Sequence, residues 1–146
     1  MVWASIAANG VGTMHFCQKS VNGQYYRNLL QQEVHITKAL LGLPTETPFV
    51  QDNAPAHRAK ATKKFQKTLK LKDLDHPPQS PDLNLIENVW AIIKREFNKE
   101  PASSIDELKI RLLHIWTNIG GDVIKKTVMS MPALSARPFS ILSCKF

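Results

Sequence analysis

Hydropathy along this chain switches repeatedly between the two-residue period of a strand and the 3.6-residue period of a helix. That alternation restricts it to an α/β domain with a mixed sheet. MVWASIA at the start reads as a strand, Asn9-Gly10 as a turn, and GTMHFC (12–17) as the returning strand of a hairpin. Tyr26, Leu29, Leu30 and Val34 then fall on one helical face, which predicts a helix over 23–36. Gly42 and Pro44 interrupt, and TPFVQD (47–52) reads as a short buried strand.

Residues 57–70 predict a helix with Ala61, Phe65 and Leu69 inward and lysines outward. LKDLDHP reads as another short strand, ended by Pro77-Pro78. Ser80 can cap a following helix and Pro81 suits its first position. Ile86, Trp90, Ile93 and Phe97 form its apolar stripe. Ser104 and Glu107 have capping-box spacing, and Leu108, Leu112, Ile115 and Ile119 mark a last helix that is interrupted near Gly120-Gly121. Trp90 and Trp116 sit on apolar stripes and read as core. The tail ALSARPFSILSCKF fits no period, so residues 132–146 are expected to be loosely packed beside a domain spanning 1–131.

Composition narrows the partner. Nineteen Lys and Arg against twelve Asp and Glu give a formal net charge of +7, which favours a polyanion. The charge is concentrated: residues 58–72 hold Arg58, Lys60, Lys63, Lys64, Lys67, Lys70 and Lys72 and no acid. No 18-residue apolar window occurs, so no membrane span is expected. The two cysteines, Cys17 and Cys144, show no metal-like spacing and predict no disulfide framework. His15, His35, His76 and His114 have no ligand-like spacing either.

Asp52 lies just past the C-terminal end of a predicted strand, where ligands gather in open α/β sheets. Glu87 lies early on the strongest predicted helix, 34 residues intervening. Two carboxylates brought together need a counter-charge, and a hard divalent ion such as Mg²⁺ supplies it. Such ions can drive phosphodiester chemistry. Asp52 as a turn residue and Glu87 as a solvated helix charge is the plainer alternative, and spacing alone favours it. The lysine run reads either as a solvated helix face or as a phosphate-binding surface.

FVQDNAPAHRAK (49–60) followed by PPQSPDLNLIENVW (77–90) resembles the catalytic domain of the Tc/mariner transposases, members of the DDE recombinase superfamily. MVWASIAANGVGTMHF resembles the family's second and third strands. The resemblance runs from Met1 to about Met131. It implies an RNase H-like fold, a mixed sheet flanked by helices, and Mg²⁺-dependent (or Mn²⁺-dependent) cleavage and joining of DNA. By that resemblance Asp52 and Glu87 are catalytic metal ligands. Asn53, His57, Asp82 and Asn84 support the site, and Arg58, Lys60, Lys63, Lys64 and Lys67 face the DNA backbone. It also implies a nuclear protein, otherwise a cytoplasmic one, compatible with a homodimer.

Three departures qualify it. The family's first central strand, with its own aspartate, would precede Met1-Val2-Trp3, as would a helix-turn-helix region. Leu85 stands where the family has proline. The expectation is therefore a sheet lacking its first central strand, with the hairpin and the Asp52 strand left as unmatched edges or paired directly. Cleavage is expected to be impaired. The alternative is a non-catalytic module of the same descent that binds nucleic acid or protein.

Overall fold

The computed structural model describes residues 1–18, 20–52, 54–73, 85–130 and 141–145. Strand β1 (Val2–Ala7) is buried along its whole length. Continuous burial of this kind requires cover on both faces of the sheet. Strand β2 (Gly10–Phe16) returns antiparallel to β1, so the hairpin forms as expected. Gly10 takes φ 142°, a conformation that favours glycine, directly after the turn.

Helix α1 (Gly23–Leu41) packs across one face of the sheet. Asn22 caps it by accepting from the Tyr25 amide at 2.8 Å. It runs five residues beyond the expected end. The apolar stripe does stop, since Ile36 and Leu40 are exposed, but Thr37 carries the inward face on as a buried polar residue. Its hydroxyl bonds those of Ser5 (2.7 Å) and Thr13 (3.1 Å) on the hairpin. Gly42, at φ 60°, ends the helix, and the Leu43 amide donates to Lys38 O at 2.9 Å.

Strand β3 (Pro48–Gln51) leads into a short helix α2 (Pro55–Arg58) and then α3 (Lys60–Thr68). The single helix expected over 57–70 is thus two. Ala59, at φ −55° and ψ 135°, breaks it and resets the helical phase. The inward residues of α3 are consequently Thr62 and Gln66, while Ala61 is exposed and Phe65 and Leu69 are half-buried. Strand β4 (Lys72–Asp73) follows.

Helix α4 (Leu85–Phe97) buries Ile86, Val89, Trp90 and Ile93 against the opposite face of the sheet, largely on the expected stripe. Helices α5 (Ile105–Thr117) and α6 (Gly121–Met129) complete that layer. Trp90 and Trp116 stack at 6.0 Å between ring centroids, and Trp116 Nε1 donates to Gly12 O at 2.9 Å. Both tryptophans are core, as expected. At the start of α5, Ser104 Oγ accepts from the Glu107 amide, but the Glu107 carboxylate reaches back to Ser103, one residue earlier than the expected box.

Strand β5 (Ile141–Lys145) completes a five-stranded sheet in the order β2-β1-β5-β3-β4. It runs antiparallel to β1 and parallel to β3. This corrects two expectations. β1 and β3 neither pair directly nor stand as unmatched edges, because β5 lies between them. The segment 141–145, expected to be loosely packed, is the middle strand. Its five residues are too few to show a period, whereas the slot they enter is specified by backbone groups on both sides. The result is a mixed α/β architecture, a small open sheet flanked by helices, consistent with a truncated RNase H-like fold.

Candidate active site

Asp52 follows directly on the end of β3, which enters the core through Phe49 on the α1 side and Val50 on the α4 side. The chain must turn here, and Asp52 makes the turn: its Oδ1 accepts from the Ala54 amide at 3.0 Å. Pro55 then opens α2, which brings His57 back over the strand end.

His57 Nδ1 lies 2.6 Å from Asp52 Oδ1 and 3.2 Å from Asp52 O. Both partners accept, so Nδ1 carries the proton and donates. The imidazole is 1% exposed and the carboxylate 30% exposed. One face of the ring stacks on Tyr26 of α1, with centroids 3.9 Å apart and planes 26° apart. Tyr26 donates to Gln51 Oε1 at 2.7 Å, and Gln66 Nε2 of α3 donates to the same oxygen at 2.9 Å. The carboxylate is therefore held by a turn amide and a buried histidine, and the histidine is held by an aromatic platform.

Glu87 lies in the first turn of α4 and is exposed. Its neighbour Ile86 and the strand residue Val50 belong to one buried cluster. The helix start bearing Glu87 and the strand end bearing Asp52 are thus tied to a common piece of core. Both carboxylates offer hard oxygen donors that suit Mg²⁺ or Mn²⁺. Among the described residues, no group of three or more His, Cys, Asp and Glu is placed to hold a metal ion. Asn53, Asp82 and Asn84, expected to support the site, lie outside the described residues.

Arg58, Lys60, Lys63, Lys64 and Lys67 are all exposed on α2 and α3, immediately after the turn. Their face is opposite Thr62 and Gln66, which anchor α3 to Ala56 O and Gln51. Tyr26, Gln51 and Gln66 were not foreseen as site residues. Their roles depend on contacts between elements far apart in sequence, which no local spacing signals. No helix among the described residues is long and apolar enough to cross a membrane.

Residues 1–109 match the family described as DDE superfamily endonuclease. The chain is 32% identical over 134 residues to the Tc3 transposase of Caenorhabditis elegans, covering 90% of this chain and 40% of that protein. It is 30% identical over 132 residues to the Tc1 transposase of the same organism, covering 90% and 48%. It therefore spans about half or less of the curated relatives' length. Among solved structures, the Mos1 transposase catalytic domain with raltegravir and Mn superposes with a TM-score of 0.76 at 21% identity, covering 90% of this chain and 70% of that one. A Mos1 paired-end complex with the left transposon end gives 0.82 at 19% identity, covering 94% and 42%.

Proposed function

The chain belongs to the DDE superfamily endonuclease family, in its Tc/mariner transposase branch, and we propose that it forms the metal-facing and DNA-facing part of a transposase catalytic unit. That unit is residues 1–131 completed by β5, acting on nuclear DNA and compatible with a homodimer. The observation that carries the proposal is the Asp52–His57 pair at the end of β3, beside an exposed basic helix.

Asp52 and Glu87 are the residues that would hold Mg²⁺ or Mn²⁺, which when bound activates a nucleophile and stabilises the leaving oxygen of a phosphodiester. His57 positions Asp52: by donating from Nδ1 it fixes the carboxylate's rotation. Arg58, Lys60, Lys63, Lys64 and Lys67 contact backbone phosphates and so position the strand without reading its sequence. Cleavage by Asp52 and Glu87 alone is impaired, because two carboxylates are fewer donors than a pair of hard ions requires, and among the described residues no third such group joins them.

A second reading is favoured by that donor count: a module that binds DNA through α3 without cutting it. One experiment separates the two. DNA binding by the purified chain is measured against salt, alongside nicking of supercoiled plasmid with and without Mg²⁺. Each phosphate-contacting lysine replaced by glutamine should lower the salt slope by about 0.9. Salt-independent binding would refute the DNA interface. Efficient Mg²⁺-dependent nicking, lost in Asp52→Asn, would refute the impairment. Complete absence of nicking leaves the binding module.

A further inference from the structure

His15 on β2 and two residues of α1 form a hydrogen-bonded chain that the metal-site reading leaves unused. His15 Nδ1 lies 3.1 Å from Glu33 Oε1, and His15 Nε2 lies 3.0 Å from the Tyr25 hydroxyl. An ionised carboxylate only accepts, so in the neutral imidazole Nδ1 carries the proton. Nε2 then offers a lone pair, and the Tyr25 O–H donates into it. The Glu33 side chain is 13% exposed and that of His15 30% exposed, while Tyr25 is half-buried. The carboxylate is thus the more shielded of the ion-pairing groups, and solvent reaches the ring. Trp3 stands directly opposite His15 on β1 and is buried, so it backs the imidazole on the same face of the sheet. Tyr25 directly precedes Tyr26, but one helical residue rotates its side chain by about 100°. It therefore meets His15, while Tyr26 meets His57.

We propose that Tyr25 is a nucleophilic phenol that takes acyl groups from activated esters, with His15 as its general base and Glu33 positioning that base. A hydroxyl, a base within hydrogen-bond reach and a third group orienting the base form the arrangement that activates a weak oxygen nucleophile. In the step, the Tyr25 oxygen bonds to the acyl carbon as its proton passes to His15 Nε2. The bond from that carbon to the ester oxygen breaks, and the leaving oxygen takes the electron pair and then the proton from Nε2. The imidazole returns to its neutral form, and the products are acyl-Tyr25 and the free alcohol or phenol. Glu33 stays ionised throughout and stabilises the imidazolium formed in passing. Asp52 and Glu87 take no part, so this site stands or falls separately from the metal-site reading.

The test treats the full chain with 4-nitrophenyl acetate at neutral pH. Acetylation of each tyrosine is followed in time by peptide mass spectrometry, with N-acetyltyrosinamide in the same solution as the reference phenol. Tyr25 should be acetylated on the order of 10²-fold faster than the reference, the lower end of what a positioned general base supplies. His15→Gln keeps a polar side chain but no base, and should bring Tyr25 down to the reference rate. Glu33→Gln keeps an acceptor oxygen without its charge, and its rate should fall between the two. The wild-type rate should also climb with pH through a step that His15→Gln lacks, which a merely structural bridge would not produce. A Tyr25 no faster than the reference in the wild-type chain would overturn the proposal, and that comparison needs no variant to fold. An enhanced rate that survives His15→Gln, in a protein folded by circular dichroism, would overturn His15 as the base.

Discussion

Tyr26 is the residue through which the fold holds the candidate site, and replacing it separates two contributions. The ring is fully buried in the α1-side core and stacks on His57 at 3.9 Å. Its hydroxyl donates to Gln51 Oε1, which keeps a second donor from Gln66. Tyr26→Phe removes the hydroxyl alone. A net hydrogen bond contributes about 0.5–1.5 kcal/mol, and the retained Gln66 bond places the cost toward the lower end. Tyr26→Ala removes the platform as well, and deleting a buried aromatic ring costs about 3–5 kcal/mol. Against a stability of about 5–15 kcal/mol for an ordinary domain, the second change is a large fraction.

Urea unfolding followed by circular dichroism gives both free energies, and the His57 ring resonances report the site. Tyr26→Phe should shift the midpoint slightly and leave the His57 resonances in place. Tyr26→Ala should lower stability by at least about 3 kcal/mol and move them, because the imidazole loses its stacking partner. Near-equal costs would show that the hydroxyl, not the ring, carries the contact. A cost below about 1 kcal/mol for alanine would refute the platform altogether.

Gly12→Ala should destabilise by about 1–3 kcal/mol in urea, since a Cβ there would meet the Ser5 hydroxyl and come within 2.7 Å of Thr37 Cγ2; adding Ser5→Ala should recover part of the loss. Trp116→Phe removes the donor to Gly12 O and should cost about 1–3 kcal/mol. That corresponds to a thermal midpoint lower by about 3–10 °C, and an unchanged melt would count against the bond. Ser103 donates to Glu107 from its hydroxyl and its amide and so lowers the carboxyl pKa from its usual 4.5. A group lowered on folding contributes stability that is present above pH 4.5 and lost as pH falls through its folded value. Glu107→Gln should flatten that acid limb, as read from the Ser103 amide resonance across a pH titration.

The hairpin, the apolar stripe of α4 and the positions of both tryptophans were legible because each follows one local period. Residues 26, 29, 30 and 34 announce α1 for the same reason, but Thr37 extends it by a polar contact that hydropathy cannot register. The Ala59 break was hidden because both candidate faces of residues 57–70 carry plausible residues. Only the Gln51 and Ala56 acceptors select Thr62 and Gln66. Asp52 and His57 were legible as members of one motif. The stacking of His57 on Tyr26 was not, because 30 residues and a helix-strand connection separate them. Strand β5 was the least legible element. Its assignment rests on vacant backbone pairing along β1 and β3, a property of the partners and not of ILSCK.

The two carboxylates share a construction that explains how a site can be assembled from segments far apart in the chain. Each follows closely on an apolar anchor: Val50 lies two residues before Asp52, and Ile86 lies immediately before Glu87. Both anchors are buried in the cluster that also takes Ala4 and Ile6 from β1. Burying such side chains contributes about 1.5–3 kcal/mol each, more than an exposed ion pair supplies. Apolar packing therefore fixes where the acids stand, and the acids need contribute nothing to stability. The same cluster is crossed by β5, whose positions 142 and 144 align with Ile6 and Ala4. Through Val50 and Ile86, the Asp52 turn and the Glu87 helix rest on one body of core, and β5 is paired in register with the strands on either side of it.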